Sequence, residues 1–166
     1  MQSFQPKFSL IWQYFSEICS IPRPSGKEEK IREYLLDFAS KEGFASKVDK
    51  AGNVLITRVG NAPAIGLQAH MDMVCEKNND TVHDFDNDPI HTYIDGDFIK
   101  AQGTTLGADN GIGMALMLAA ITSDTLKHPA LECLFTVDEE TGLTGAFRLQ
   151  DGCLNGKQLI NLDSED

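Results

Sequence analysis

Basic charge is scarce in this chain: 14 Lys and Arg stand against 25 Asp and Glu in 166 residues, a formal net charge of -11. A phosphate backbone needs a basic face, so nucleic acid is excluded as a partner. Long apolar runs are missing too. The longest, Ile112 to Ile121, falls short of the ~18 residues of a membrane span, which excludes a membrane partner. The start, MQSFQPKF, lacks the basic-then-apolar order of a secretory signal, so a cytoplasmic location is expected. Cysteine is sparse and unpaired: Cys19, Cys75, Cys133 and Cys153 form no C-x-x-C unit. That is neither a zinc-knuckle spacing nor a disulfide framework, and the four read as free thiols, Cys133 packed among apolar neighbours. Repeats, low-complexity tracts and Pro/Ser linkers are absent. What is present is 42% hydrophobic residues, enough for a core and too many for a disordered acidic tail. The length fits one domain or a large part of a bigger one.

Hydrophobic periodicity predicts a helix over Leu10 to Cys19 and a second over Glu29 to Phe38, with Ile31, Tyr34, Leu35 and Phe38 on one face. Ser25 and Glu28 have the spacing of a capping box, and Gly43 fits a helix stop. Strands are expected at Asn53 to Arg58, Ala64 to Ala69, Leu131 to Val137 (alternating) and Leu159 to Leu162. Thr92 to Ala101 reads as a hairpin turning at Asp95-Gly96. Gly111 to Ser123 is a small-residue, mostly buried helix. Strands alternating with helices give an α/β fold, a mixed, largely parallel sheet flanked by helices.

The chemistry lies at the ends of these runs. The second strand ends at His70-Met71-Asp72, the next at Asp138-Glu139-Glu140, the last at Asp163, and a glycine-rich turn before the small-residue helix holds Asp109. Sites in open α/β sheets lie beyond the carboxyl ends of the strands. Each residue also fits a plainer role: His70 as a surface or satisfied core histidine, Asp109 as a helix cap, Glu139 and Glu140 as solvated charges, Asp163 as a frayed surface acid. Spacing alone leaves both readings open.

The H-x-D triplet sharpens the metal reading. Residues two apart on a strand share a side, so Asp72 can hold one ring nitrogen of His70 and leave the other for a metal. An imidazole with several carboxylates suits zinc, manganese or cobalt. In an extended segment Glu139 and Glu140 would point oppositely, one to metal and one to substrate. Carboxylates gathered this closely repel one another, and two divalent cations would relieve the conflict.

His70-Met71-Asp72-Met73-Val74, Gly107-Ala108-Asp109-Asn110-Gly111-Ile112-Gly113, Glu139-Glu140-Thr141-Gly142 and Asn161-Leu162-Asp163-Ser164-Glu165 resemble, in order, the metal-site motifs of the M20 metallopeptidases. The stretches Lys77 to Phe85, Asp88-Pro89-Ile90 and Lys100 to Gly107 look like the aminoacyl-histidine dipeptidase branch. The resemblance implies two zinc ions. His70 and Asp163 would bind one, Glu140 the other, and Asp109 would bridge both. It makes Asp72 the acid that orients His70 and Glu139 the general base acting on a zinc-bridged water. It also implies a cis peptide after Asp109, hydrolysis of dipeptides with a preference for Xaa-His, and a homodimeric full-length protein.

In the resembled family a lid or dimerisation domain separates two catalytic halves, and the second half supplies a last histidine ligand. None of His83, His91 and His128 sits in a matching motif. Residues 1–166 therefore read as the N-terminal segment of the catalytic domain, incomplete at its C-terminal side, from a fragment or a truncated gene, and inactive in isolation. Another M20-type amidohydrolase (a deacylase or carboxypeptidase) and a non-catalytic remnant are the alternative readings.

Overall fold

The computed structural model describes residues 9–60 and 63–163. Ser164 and Glu165 of the last motif, and residues 1–8 weighed as a signal, lie outside the described residues. The elements run α1 (Ser9–Cys19), α2 (Glu29–Glu42), β1 (Ala45–Val48), β2 (Val54–Arg58), β3 (Ile65–His70), β4 (Thr92–Asp95), β5 (Phe98–Ala101), α3 (Ala108–Thr122), β6 (Leu131–Thr136), α4 (Glu139–Gly142), α5 (Thr144–Phe147) and β7 (Gln158–Asn161).

The helices form where the periodicity places them. α1 buries Tyr14, Phe15, Ile18 and Cys19, and α2 buries Ile31, Leu35, Phe38 and Ala39. Gly43 closes α2 in the left-handed conformation. The expected capping box is not formed: Glu28 takes the cap position and no side chain caps the helix. Both residues are committed elsewhere, because Ser25 and Glu28 bond to segments distant in sequence. In α3 the regular helix starts at Gly111, since Asp109 and Asn110 have non-helical backbone angles. α3 packs against α1 and β3.

The main sheet has the order β1-β2-β6-β3-β7. β1, β2 and β6 pair antiparallel, while β6, β3 and β7 pair parallel, a mixed sheet with helices against it. All six residues of β6 are buried. The alternation read into Leu131 to Val137 is thus corrected: β6 is central and covered on both faces, so both sides of the strand are buried. Its one acid, Glu132, accepts hydrogen bonds from the N–H groups of Asn155 and Gly156. β7 is its opposite, exposed at all four positions and, among the described residues, paired only with β3. β1 is exposed throughout, so no alternation announced it. β4 and β5 form a separate hairpin. Asp95 pairs with Phe98, which places the loop at Gly96-Asp97, one residue later than expected.

All four cysteines are free, and burial pushes the Cys133 thiol up to about 12. Among the described residues no helix is long and apolar enough to cross a membrane. Because β3, β6 and β7 run parallel, their carboxyl ends leave the sheet at one edge.

Candidate metal centre

His70 ends β3 and is fully buried. Its two nitrogens face two different acids. Nδ1 lies 3.2 Å from Asp72 Oδ1, and Nε2 lies 2.9 Å from Asp109 Oδ1. The same Nε2 is 3.9 Å from Glu139 Oε2 and 3.8 Å from Asp163 Oδ2. His70, Asp109 and Glu140 have ligand atoms within 4.8 Å of one another, and so do His70, Glu139 and Asp163. The residues drawn from four separate elements of the sequence therefore converge, with His70 common to both groups.

Asp72 is buried and orients the cluster from beneath. Its Oδ2 accepts from Ser25 Oγ at 2.7 Å and from the Glu140 N–H at 3.2 Å, and its Oδ1 accepts the Glu139 N–H at 3.0 Å. Burial alone would raise its pKa. The hydrogen bonds from His70, Ser25, Glu139 and Glu140 outweigh it and hold the carboxyl down at about 2. Asp72 thus stays a carboxylate and fixes one ring nitrogen of His70, the arrangement that presents the other nitrogen to a metal.

The glutamates are not in the extended segment expected. They open α4, a single helical turn preceded by Asp138 in the left-handed region (φ 52°). The turn forms because the Asp72 carboxylate draws in two consecutive N–H groups and Glu28 Oε1 takes the Asp138 N–H at 3.0 Å. The two side chains still part company, Glu139 toward Asp163 and Glu140 toward Asp109. Burial raises the pKa of both carboxyls and neighbouring carboxylates raise it further, partly offset by His70. Asp109 stands on the non-helical first turn of α3 without capping it, and the peptide bond after it is cis. For His70, burial lowers the pKa, but the hydrogen bonds to Asp72 and Asp109 prevail and raise it to about 9. One buried imidazole ringed by carboxylates is a donor set suited to divalent cations.

Besides Ser25, read only as a cap, three residues of this arrangement escaped sequence reasoning. Arg23 is buried and bonds to the carbonyls of Met71 and Asp72. Asn53 ties the end of β6 to α5, accepting the Val137 N–H and donating to the Gly145 carbonyl. Glu28 was read only as a cap. A hint lay in Pro22-Arg23-Pro24, a cation between two residues that cannot continue a helix.

Known proteins are similar to this chain in sequence and in fold. The cytosol non-specific dipeptidase of Escherichia coli (strain K12) is 51% identical over 161 residues, which cover 94% of this chain and 33% of that protein. The crystal structure of aminoacylhistidine dipeptidase from Vibrio alginolyticus superposes with a TM-score of 0.92 at 47% identity, over 100% of this chain and 36% of that one. That of the aminopeptidase PepT from Bacillus cereus ATCC 10987 gives 0.81 at 25% identity, over 95% and 43%. The chain spans roughly a third of the length of the first two. The model of peptidase family M20/M25/M40 matches residues 66–162, more than half of the chain, a span that holds His70, Asp72, Asp109, Glu139 and Glu140 and stops one residue before Asp163, and the chain is a member of that family.

Proposed function

We propose that this chain is the N-terminal segment of the catalytic domain of a cytoplasmic, metal-dependent dipeptidase that prefers Xaa-His substrates. The lid domain, the second catalytic half and its histidine ligand would be supplied from outside residues 1–166, and the full-length protein would be a homodimer. The observation that carries the reading is the convergence of His70, Asp109, Glu140 and Asp163 on one sheet edge, with Glu139 beside them. The 51% identity to a protein named as a dipeptidase supports the substrate class.

The donor set fits two Zn²⁺, with Mn²⁺ or Co²⁺ as substitutes. His70 and Asp163 would hold one ion, Glu140 the other, and Asp109 both. When bound, such ions supply Lewis-acid polarisation and lower the pKa of water at the site. The protein does the rest. Asp72 keeps His70 in one tautomer and one orientation. Glu139, held 3.9 Å from the imidazole, takes the proton of the attacking water and returns it to the leaving amine nitrogen. The products are an amino acid and histidine.

Replacing Glu139 with Gln in the full-length protein tests the division of labour. Turnover of an Xaa-His dipeptide should fall ~10²–10⁴-fold while the zinc content is kept. Zinc lost in parallel with activity would make Glu139 a ligand instead. Faster cleavage of N-acyl amino acids than of dipeptides by the wild type would replace the dipeptidase reading with a deacylase.

A further inference from the structure

The loop between α1 and α2 reaches three of the segments that carry the site. Arg23, 2% exposed, donates from Nη1 to the Met71 carbonyl at 3.0 Å and to the Asp72 carbonyl at 2.6 Å, and from Nη2 to the Gly107 carbonyl. It thereby joins the His70 turn to the turn ahead of Asp109. Two residues on, Ser25 Oγ donates to Asp72 Oδ2 at 2.7 Å, and between them Pro24 bridges to Met73. Glu28, 4% exposed, accepts the N–H of Gly26 at 2.9 Å and that of Asp138, just ahead of the two glutamates, at 3.0 Å.

The glycines opposite are shaped to this contact. Gly107 has φ +68°, and a Cβ there would stand 2.6 Å from Arg23 Nη2. A Cβ at Gly111 would stand 2.9 Å from the same nitrogen. A guanidinium is a rigid planar fork, so carbonyls bound to it are held at a set spacing, which a rotating ammonium does not do.

We propose that the loop Arg23–Glu28 is the positioning element of the metal site, with Arg23 setting the separation of His70 from Asp109, and Ser25 and Glu28 fixing Asp72 and the glutamate turn. In this proposal none of the three is a metal ligand. They act through the backbone and through Asp72. The inference rests on the metal-site reading above.

The test is made in the full-length protein, with zinc affinity measured by competition titration and with the d–d absorption spectrum of the Co²⁺-loaded form. Arg23→Met should lower zinc affinity ~10–100-fold, as loss of outer supports of metal ligands does. Arg23→Lys should recover part of the affinity but not the wild-type cobalt spectrum, and Ser25→Ala should show a smaller loss. Ile56→Ala, which opens a cavity in β2, serves as control. It should lower the melting temperature while leaving affinity and spectrum alone. If Arg23→Met does not fold, Arg23→Lys and Ser25→Ala decide. Folded variants with wild-type zinc affinity and cobalt spectrum would overturn the positioning role and leave the metal site standing. A wild-type protein that takes up neither ion would overturn the metal-site reading and this inference with it.

Discussion

β6 and β7 both run parallel to β3 and both end in site acids, yet they live in different surroundings. β6 is buried along its whole length between β2 and β3, and β7 is exposed along its whole length at the sheet edge. The turn after β6 is braced by Asp72, Glu28 and Asn53. Asp163 follows β7, its N–H held by the side chain of Asn161 two residues back at 2.7 Å. One half of the site is thus preorganised by packing, and the other is hung from an edge.

The comparison is broken most severely in the core. Phe135 on β6 is fully buried, and Phe135→Ala should cost about 3–5 kcal/mol in chemical denaturation, by lost burial and the cavity left behind. Asp72→Asn strikes the bracing itself. It keeps an acceptor for one N–H but loses the charge that holds His70, and zinc affinity should fall ~10–100-fold in a chelator competition while the fold is kept.

The pH dependence follows from His70. Its folded pKa, about 9, lies above the ordinary histidine value, so in chelator-treated protein the imidazolium's contribution is complete below the ordinary value and is lost as pH rises through about 9. Melting temperatures of that protein should decline between pH 7 and pH 10 by more than those of a His70→Gln variant. Excess zinc should flatten the decline, since metal and proton compete for the same nitrogen. The smallest effect belongs to the edge. Ile160 on β7 is 49% exposed, and Ile160→Ala should change stability by less than about 1 kcal/mol. A loss as large as that of Phe135→Ala would show β7 to be as deeply packed as β6.

The convergence of the site residues was legible in the sequence because each sits where a periodic run stops, and parallel strands bring such stops to one edge. Strand ends and a glycine turn drew attention to His70, Asp109, Glu140 and Asp163 but left their plainer readings open, and the resemblance to the M20 motifs supplied the ligand roles. The supports were not legible. Arg23, Ser25 and Glu28 act on residues from 47 to 110 positions away, and no local pattern records a hydrogen bond of that span. Ser25 and Glu28 even have the spacing of a local motif that the structure does not form. The glutamate turn was misread as extended for a related reason. Its helical form is imposed by the Asp72 carboxylate, not by its own residues. Continuous burial of β6 came from its place in the sheet order, which a single strand's pattern does not contain.

The sheet order also fixes a timetable. Chains leave the ribosome from the N-terminus and fold as they emerge. His70, Asp109 and the glutamates appear before β7 does, and the β3–β6 pairing that supports them needs nothing from β7. Asp163 therefore arrives at a partly assembled site, carried in by a strand that only has to add itself to the outer side of β3. A nascent protein would hold His70, Asp109 and the glutamates in place before Asp163 joins them.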